Sequence, residues 1–425
     1  MMRYYLAIDI GASSGRHIVG WTEEGRIRTE EVFRFPNGVK QEDGHLVWDL
    51  EALNGYVKEG IAAAKARFGQ IESLAIDTWG VDYVLLRDGE EVLPCYAYRD
   101  HRTDASVPEV HRLVPFDELY LRTGIQFQPF NTVYQLYADK MAGRLEGVTE
   151  YLMMPEYLTW KLCGGKAHEY TNATTGALID ARTGTFDRTV IRKLELPEEL
   201  FTEVSQPGTV VGTYEGIRCV LAPSHDTASA VEGIPMEEDE VYLNSGTWSL
   251  LGVKSPQPIV TMESRRHNWT NEGGVGYIRF IKNIMGMWVV NRLREELCPG
   301  KPFPEIVAEA QESRFDEIVD VNAQAFLSPA SMKEAFDQAL GRHARKEADY
   351  FRCAYRSLAI CYRNAVRELS QITGKTYHKL YIVGGGAKNT FLNELTRVIA
   401  GLEVVALPIE ATALGNLKIQ MEANK

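Results

Sequence analysis

No cysteine in the chain pairs with another in a C-x-x-C spacing; the six, Cys95, Cys163, Cys219, Cys298, Cys353 and Cys361, lie scattered through 425 residues. That scatter excludes a zinc ribbon and a disulfide framework, and it suits buried thiols in a reducing compartment. No apolar run approaches the ~20 residues that cross a bilayer, and the N-terminus has no basic region, apolar core and small-residue cleavage site. The chain is therefore expected to be cytoplasmic, with no membrane partner. Cationic excess is missing as well. Lys plus Arg number 46 against 58 Asp plus Glu, a net charge of −12 that argues against contact with nucleic acid and leaves a small molecule as the expected partner. Nor is there a low-complexity linker, although a chain this long has room for two or three domains at roughly 100–200 residues each.

What is present is an alternation of strand-like and helix-like text. "YLAIDI" and "RHIVGW" flank a small-residue turn, and "VFRFP" and "LVWDL" follow. "LEALNGYVKEGIAAAKARFG" has helical spacing, and "ESLAIDTWGVDYVLL" reads as one apolar strand. This is an α/β pattern. Residues 98–170 are mostly helical, with Pro155, Gly164 and Gly165 as breakers, and strands return near "CVLAPSHDTASAVEGIP". At Glu240–Val253, "EVYLNSGTWSLLGV" repeats the opening design of strand, small-residue turn and strand. The break at Gly233-Ile234-Pro235 just before it sets a boundary between domains 1–233 and 234–425.

The opening turn, "GASSG", is not a Walker A loop, because no GK[ST] closes it and His17–Trp21 reads as strand. It is the tip of a hairpin. Gly11, Ala12, Ser13, Ser14 and Gly15 have small side chains, and their adjacent amides can converge on an anion such as phosphate. Asp9, at the end of the preceding strand, then makes sense with Mg²⁺ between it and a polyphosphate, directly or through water, and Mn²⁺ would suit it about as well. The alternative is an ordinary hairpin with Asp9 solvated. The second tip, with Ser245, Gly246 and Thr247, offers further amide and hydroxyl donors. "KLYIVGGGAKNTFLNELTRVIAG" adds a strand, three glycines and a helix with apolar Phe391, Leu392, Leu395, Val398 and Ile399. Gly384, Gly385 and Gly386 admit a flat group at a helix N-terminus or serve only close strand–helix packing.

"SHDTASAV" ends a strand and presents His225, Asp226 and Thr227. Asp226 there is either a general base or, like Thr227, a helix cap, since both residue types favour that position; His225 is a hydrogen-bonded neighbour or a proton shuttle. "IDTWGVDYV" puts Asp77, Trp79, Gly80 and Asp82 into an apolar strand, useful as a sugar-facing wall with a stacking ring, or else an edge-strand bulge with solvated aspartates. Asn283 stands just ahead of a helical face with Met287, Trp288 and Leu293, in which the Met and Trp read as core.

In order along the chain, "AIDIGASSGR", "IDTWGVD", "SHDTASAV", "LNSGTWSL", "TNEGG", "KNIMG", "VGGGAKN" and "EATALGN" resemble the FGGY carbohydrate kinases. "GASSGR", "DTWGVD" and "SHDTASAV" together resemble the members that act on L-rhamnulose. The resemblance implies two ribonuclease-H-like, actin-like domains with a cleft between them that closes on its substrates, the sugar held mainly by the first and ATP mainly by the second. It implies a phosphate loop at Gly11–Gly15 with Asp9 near Mg²⁺, Thr247 by the nucleotide phosphates, and Gly385 and Gly386 by the adenosine. Gly80, His225, Asp226, Thr227 and Asn283 match positions that line the sugar site, with Asp226 as the base. The implied reaction is transfer of the ATP γ-phosphoryl group to the C1 hydroxyl of L-rhamnulose. L-Fuculose or L-xylulose are alternative acceptors, and an actin-like nucleotide-dependent sensor is the reading from another class. Two departures stand out. Asn291 occupies a nucleotide-contact position where similar members carry glutamine, and the chain ends soon after "EATALGNLKIQMEANK", where members usually continue with helical sequence that supports closure or assembly. A monomer or homodimer is expected.

Overall fold

The structure, a computed structural model, describes residues 2–237, 239–341, 346–407 and 410–425. The chain forms two compact units, one of Met1–Pro235, Ser255–Phe280 and Glu410–Lys425, the other of Met236–Lys254 and Ile281–Ile409. Among the described residues no helix is long and apolar enough to cross a membrane.

The first unit is built on a six-stranded sheet whose order is Val210–Tyr214, Ile217–Val220, Ser73–Thr78, Tyr5–Ile10, Ser14–Glu23, Arg26–Pro36. The opening strand pairs antiparallel with Ser14–Glu23 and parallel with Ser73–Thr78. Its side chains alternate between two cores, as a strand's must. Leu6, Ile8 and Ile10 pack with Val57 and Ile61 of the helix Leu50–Phe68. Tyr5 and Ala7 pack with Ala413 and Leu417 of the last helix, Ala411–Ala423. Asp9 follows the second parity, so its side chain belongs to the face that the last helix covers. The Leu50–Phe68 helix begins where Asp49 accepts from the Ala52 amide and stops at Gly69, whose φ of 74° ends the helical run.

The segment read as one strand is two. Ser73–Thr78 lies inside the large sheet, whereas Tyr83–Arg87 joins Glu90–Glu91 and Glu150–Met153 in a separate three-stranded sheet. Val81, at φ 70°, turns the chain between them. Both pieces are almost wholly buried, so their apolar run gives no periodicity that would mark the break. The helical stretch resolves into Ser106–Leu113, Phe116–Thr123, Thr132–Met141 and Met154–Cys163.

The second unit repeats the arrangement. Val241–Ser245 pairs antiparallel with Trp248–Ser255 and parallel with Lys379–Val383, which in turn pairs with Glu403–Ala406. The helices Glu347–Thr373 and Thr390–Ala400 pack on one another. The three glycines do not open a helix directly. A short 3₁₀ turn, Gly385–Lys388, intervenes, and Asn389 caps Thr390–Ala400 by accepting from the Leu392 amide. Val398, expected on the apolar face, is 62% exposed. Cys163 and Cys298 are half-buried and not core thiols, while the other four are buried.

Candidate active site

The first hairpin is tighter than its sequence suggested. Ser14 and Gly15 already belong to the second strand, with Gly15 opposite Ile10, so the tip proper is Gly11, Ala12 and Ser13. Neither glycine has a positive φ. Gly15 is needed for room: a Cβ there would stand 2.1 Å from the Phe35 ring. The Gly11 amide donates to Ser14 O at 2.9 Å, and Asn37, just past the end of the third strand, holds the tip by donating through Nδ2 to Gly11 O at 2.8 Å. Among the described residues the amides of Ala12 and Ser13 have no partner, which leaves two N–H groups for an anion.

Asp9 is not solvated. It accepts from Arg16 Nε at 2.9 Å, forms an ion pair with that residue's Nη2 at 2.9 Å, and stands in register with Asp77 on the neighbouring parallel strand. Burial raises the Asp9 carboxyl above its ordinary range; Arg16 pulls it back, and Asp226 pushes it up again. Asp77 is fully buried and is held well above the ordinary carboxylate range by that burial and then by Asp9. Asn416 donates to Asp77 Oδ2 at 2.6 Å, whereas Oδ1 is buried with no donor placed on it among the described residues. The idea of an edge strand with solvated aspartates therefore fails at both positions, since Asp82 is fully buried as well. Three carboxyl groups gathered about one guanidinium leave an excess of negative potential that suits a divalent cation. No set of three or more ligating side chains forms a closed metal cage among the described residues. A Mg²⁺ held by one carboxylate, with water and phosphate completing its shell, fits that donor set.

The "SHDT" segment is pinned from several sides. Thr78 N donates to Ser224 O at 2.9 Å, and the buried Glu169 accepts from Ser224 N and Oγ and from Thr171 and Asn172. The helix Asp226–Glu232 starts with His225 at the cap position and no side-chain cap bond, so Asp226 and Thr227 are not caps. Asp226 instead points out of the first turn, 31% exposed, with Oδ1 accepting from Thr227 Oγ1 at 3.1 Å. His225 Nε2 lies 3.6 Å from the same oxygen. The opposite ring nitrogen faces Arg279 Nη2 at 3.1 Å and Glu272 Oε2 at 3.4 Å. Gly80 backs onto Thr175, whose side chain would meet a Cβ there at 3.0 Å. Trp79 is 6% exposed; its ring lies 4.1 Å from that of Trp48 and its N–H is spent on Asp82. Asp82 also accepts from Trp48 Nε1, the Tyr98 amide and Gln135, which leaves it little capacity for a ligand.

In the second unit a cavity of about 640 Å³ is lined by Ser245, Gly246 and Thr247 on the hairpin side and by Gly385, Gly386, Asn291, Met287 and Phe303 around it. Thr247, Asn291, Gly385 and Gly386, expected separately, thus share one hollow. Met287 is part of the lining and not of the core. The glycines divide their work: a Cβ on Gly386 would stand 1.9 Å from Ser245 Oγ, so that residue serves close packing, whereas a Cβ on Gly385 would meet nothing within 4 Å. Polar donors on one wall and apolar side chains on another match a group with a charged end and a flat apolar end. Asn283 lies within the strand Ile278–Met285, outside this lining, and its buried Oδ1 has no partner among the described residues.

Arg16, Asp77, Glu272, Arg279 and Asn416 were not singled out for these roles by sequence. Four of them sit inside the segments "ASSGR", "IDTWG", "TNEGG" and "ALGN" that carry the family resemblance; Arg279 sits outside them.

Comparison with known proteins agrees with this architecture. The N-terminal domain of the FGGY family of carbohydrate kinases matches residues 4–221, and its C-terminal domain matches residues 241–423. A rhamnulokinase of Oceanobacillus iheyensis is 38% identical over 100% of this chain and 94% of its own length. One of Mannheimia succiniciproducens is 41% identical over 98% of this chain and 89% of its own. The fold is that of a gluconate kinase from Lactobacillus acidophilus, with TM-score 0.83, 15% identity and coverage of 100% and 90%. It is also that of a Plasmodium falciparum glycerol kinase solved with ADP, with TM-score 0.80, 16% identity and the same coverage. The two α/β units are thus of the ribonuclease-H-like, actin-like type, and the chain belongs to the FGGY family of carbohydrate kinases, as an ATP-dependent sugar kinase.

Proposed function

We propose that this kinase transfers the γ-phosphoryl group of ATP to the C1 hydroxyl of L-rhamnulose, giving L-rhamnulose 1-phosphate and ADP. The observation that carries the acceptor is likeness along nearly the whole chain to proteins named rhamnulokinase, at 38% and 41% identity. Asp226 serves as the base. It is the partly exposed carboxylate beside His225, it accepts from a hydroxyl, that of Thr227, and it stands close enough to Asp9 to raise that group's pKa.

In the transfer, the C1 oxygen forms a bond to the γ-phosphorus as the bond from phosphorus to the bridging β–γ oxygen breaks, and the hydroxyl proton passes to Asp226. The transition state is loose, so rate comes chiefly from in-line positioning and charge neutralisation, with proton acceptance secondary. Gly80, His225 and Thr227, all within residues 1–233, position the sugar, while Trp79, buried against Trp48, backs that wall without facing it. The Ala12 and Ser13 amides hold phosphate oxygens, and in the second unit Thr247, Asn291, Gly385 and Gly386 line the cavity that takes the nucleotide. Asp9 would hold Mg²⁺, directly or through water, and the ion would supply charge neutralisation at the phosphates.

Replacing Asp226 with Asn tests the assignment. Nucleotide affinity, read by titration with ADP, is expected to change little, while sugar-dependent turnover falls by ~10²-fold or more. Near-normal turnover would remove Asp226 from the base role.

A further inference from the structure

We propose that Arg279, held by Glu272, fixes the ring proton of His225 on Nε2 and so makes His225 a hydrogen-bond donor beside Asp226, directed at an oxygen of the acceptor sugar. The sugar in this statement rests on the functional reading above; the proton position rests on geometry alone.

Arg279 is fully buried. Its Nε donates to Gly273 O at 2.7 Å, and its Nη2 donates to His225 Nδ1 at 3.1 Å. A guanidinium has donors only and keeps its protons, so Nδ1 must offer its lone pair. In an imidazole whose Nδ1 accepts, the proton sits on Nε2. The competing group is Glu272, whose Oε2 lies 3.4 Å from Nδ1. At 3.4 Å that oxygen is the more distant of the two from Nδ1, and it lies nearer to Arg279, with Nη2 at 3.1 Å. Burial alone would raise the Glu272 carboxyl, but Arg279 first and the His225 ring second more than offset it and hold the group below the ordinary range, as a carboxylate that balances the buried guanidinium. Nε2, on the far side of the ring, is 3.6 Å from Asp226 Oδ1, too far for a good hydrogen bond. The N–H is therefore unspent and faces the space that Asp226 borders. Arg279 touches no substrate in this account; it is a positioning residue acting through His225.

The test uses full-length protein labelled with ¹⁵N-histidine and free of substrates. Long-range ¹H–¹⁵N correlation spectra report which ring nitrogen carries the proton, and the His225→Gln variant identifies the His225 signals. The expected spectrum shows Nε2 protonated and Nδ1 bare. A proton on Nδ1, or on both nitrogens, overturns the proposal whether or not the protein phosphorylates sugar. In Arg279→Met the proton is expected to redistribute to Nδ1, and the sugar KM to rise by about 10-fold, the loss of one directed hydrogen bond, while the ATP KM holds within about twofold. Arg279→Lys is expected to recover part of the loss. An unchanged His225 spectrum in Arg279→Met overturns the positioning role, and should that variant fail to fold, the wild-type spectrum decides. Failure of every sugar to stimulate ADP release, with Nε2 protonated, defeats the functional reading and leaves the proton assignment standing.

Discussion

Asn416 donates through Nδ2 to Asp77 Oδ2 at 2.6 Å, joining residues 339 apart in sequence. The same amide reaches Ala75 O at 3.3 Å, and Asn416 Oδ1 accepts from Gln420 Nε2 at 2.7 Å. An asparagine of the last helix thus satisfies one oxygen of a buried carboxyl that stands in register with Asp9. The "EATALGN" segment matters here through that support, at the floor of the acidic cluster.

Asp77 makes the metal-free protein sensitive to rising pH. Its folded-state pKa lies above the ordinary value of 3.8. Its contribution to stability is then fully present below that value and is lost as pH climbs through the folded pKa. Asp77→Asn removes the loss. In urea unfolding with a chelator present, the variant is expected to gain on the wild type as pH rises from about 4 towards neutrality, by ~1.4 kcal/mol per unit of elevation, and to lose that advantage in acid. A difference that stays constant with pH would contradict the buried-acid account.

Gly415 lets the last helix touch the helix that carries Asp226. A Cβ there would stand 1.9 Å from Ser229 O and 2.8 Å from the Gly233 amide. Alanine should add about 1 kcal/mol of helix propensity, yet the clash with backbone is expected to outweigh it, for a net loss of roughly 2 kcal/mol and lower turnover as Asp226 moves. Gly55, in the helix Leu50–Phe68 with nothing within 4 Å of a would-be Cβ, is the control. Gly55→Ala should stabilise by up to about 1 kcal/mol. Chemical denaturation of both variants separates the two outcomes.

Gly385 and Gly386 should fail differently. Gly386→Ala meets Ser245 Oγ and is expected to lower the thermal midpoint. Gly385→Ala meets no protein atom within 4 Å and is expected to leave the midpoint near wild type while raising the ATP KM several-fold by filling the cavity. Equal thermal losses in the two variants would contradict this division of roles.

Much of this was legible in sequence, and the reasons differ by residue. The two hairpins showed because each pairs apolar alternation with a turn of small residues, a signal that is local. Gly385, Thr247 and Asn291 could be flagged one by one, yet their shared cavity depends on pairings such as Val241–Ser245 with Lys379–Val383, which no local pattern encodes. The break at Val81 stayed hidden because burial on both faces removes alternation. The capping idea for Asp226 failed because propensity is statistical, and here tertiary bonds from Glu169 to Ser224 set where the helix begins. Arg279 left no trace: a lone arginine in an apolar strand announces neither its burial nor its partner.

The most direct measurement is ADP release with Mg-ATP in the presence of L-rhamnulose, L-fuculose, L-xylulose, D-xylulose or glycerol and in the absence of sugar, with ³¹P NMR of the sugar product. Strong, selective stimulation by L-rhamnulose and a phosphate on C1 are expected. Equal, sugar-independent ADP release, or phosphate delivered to another sugar in preference, would contradict it.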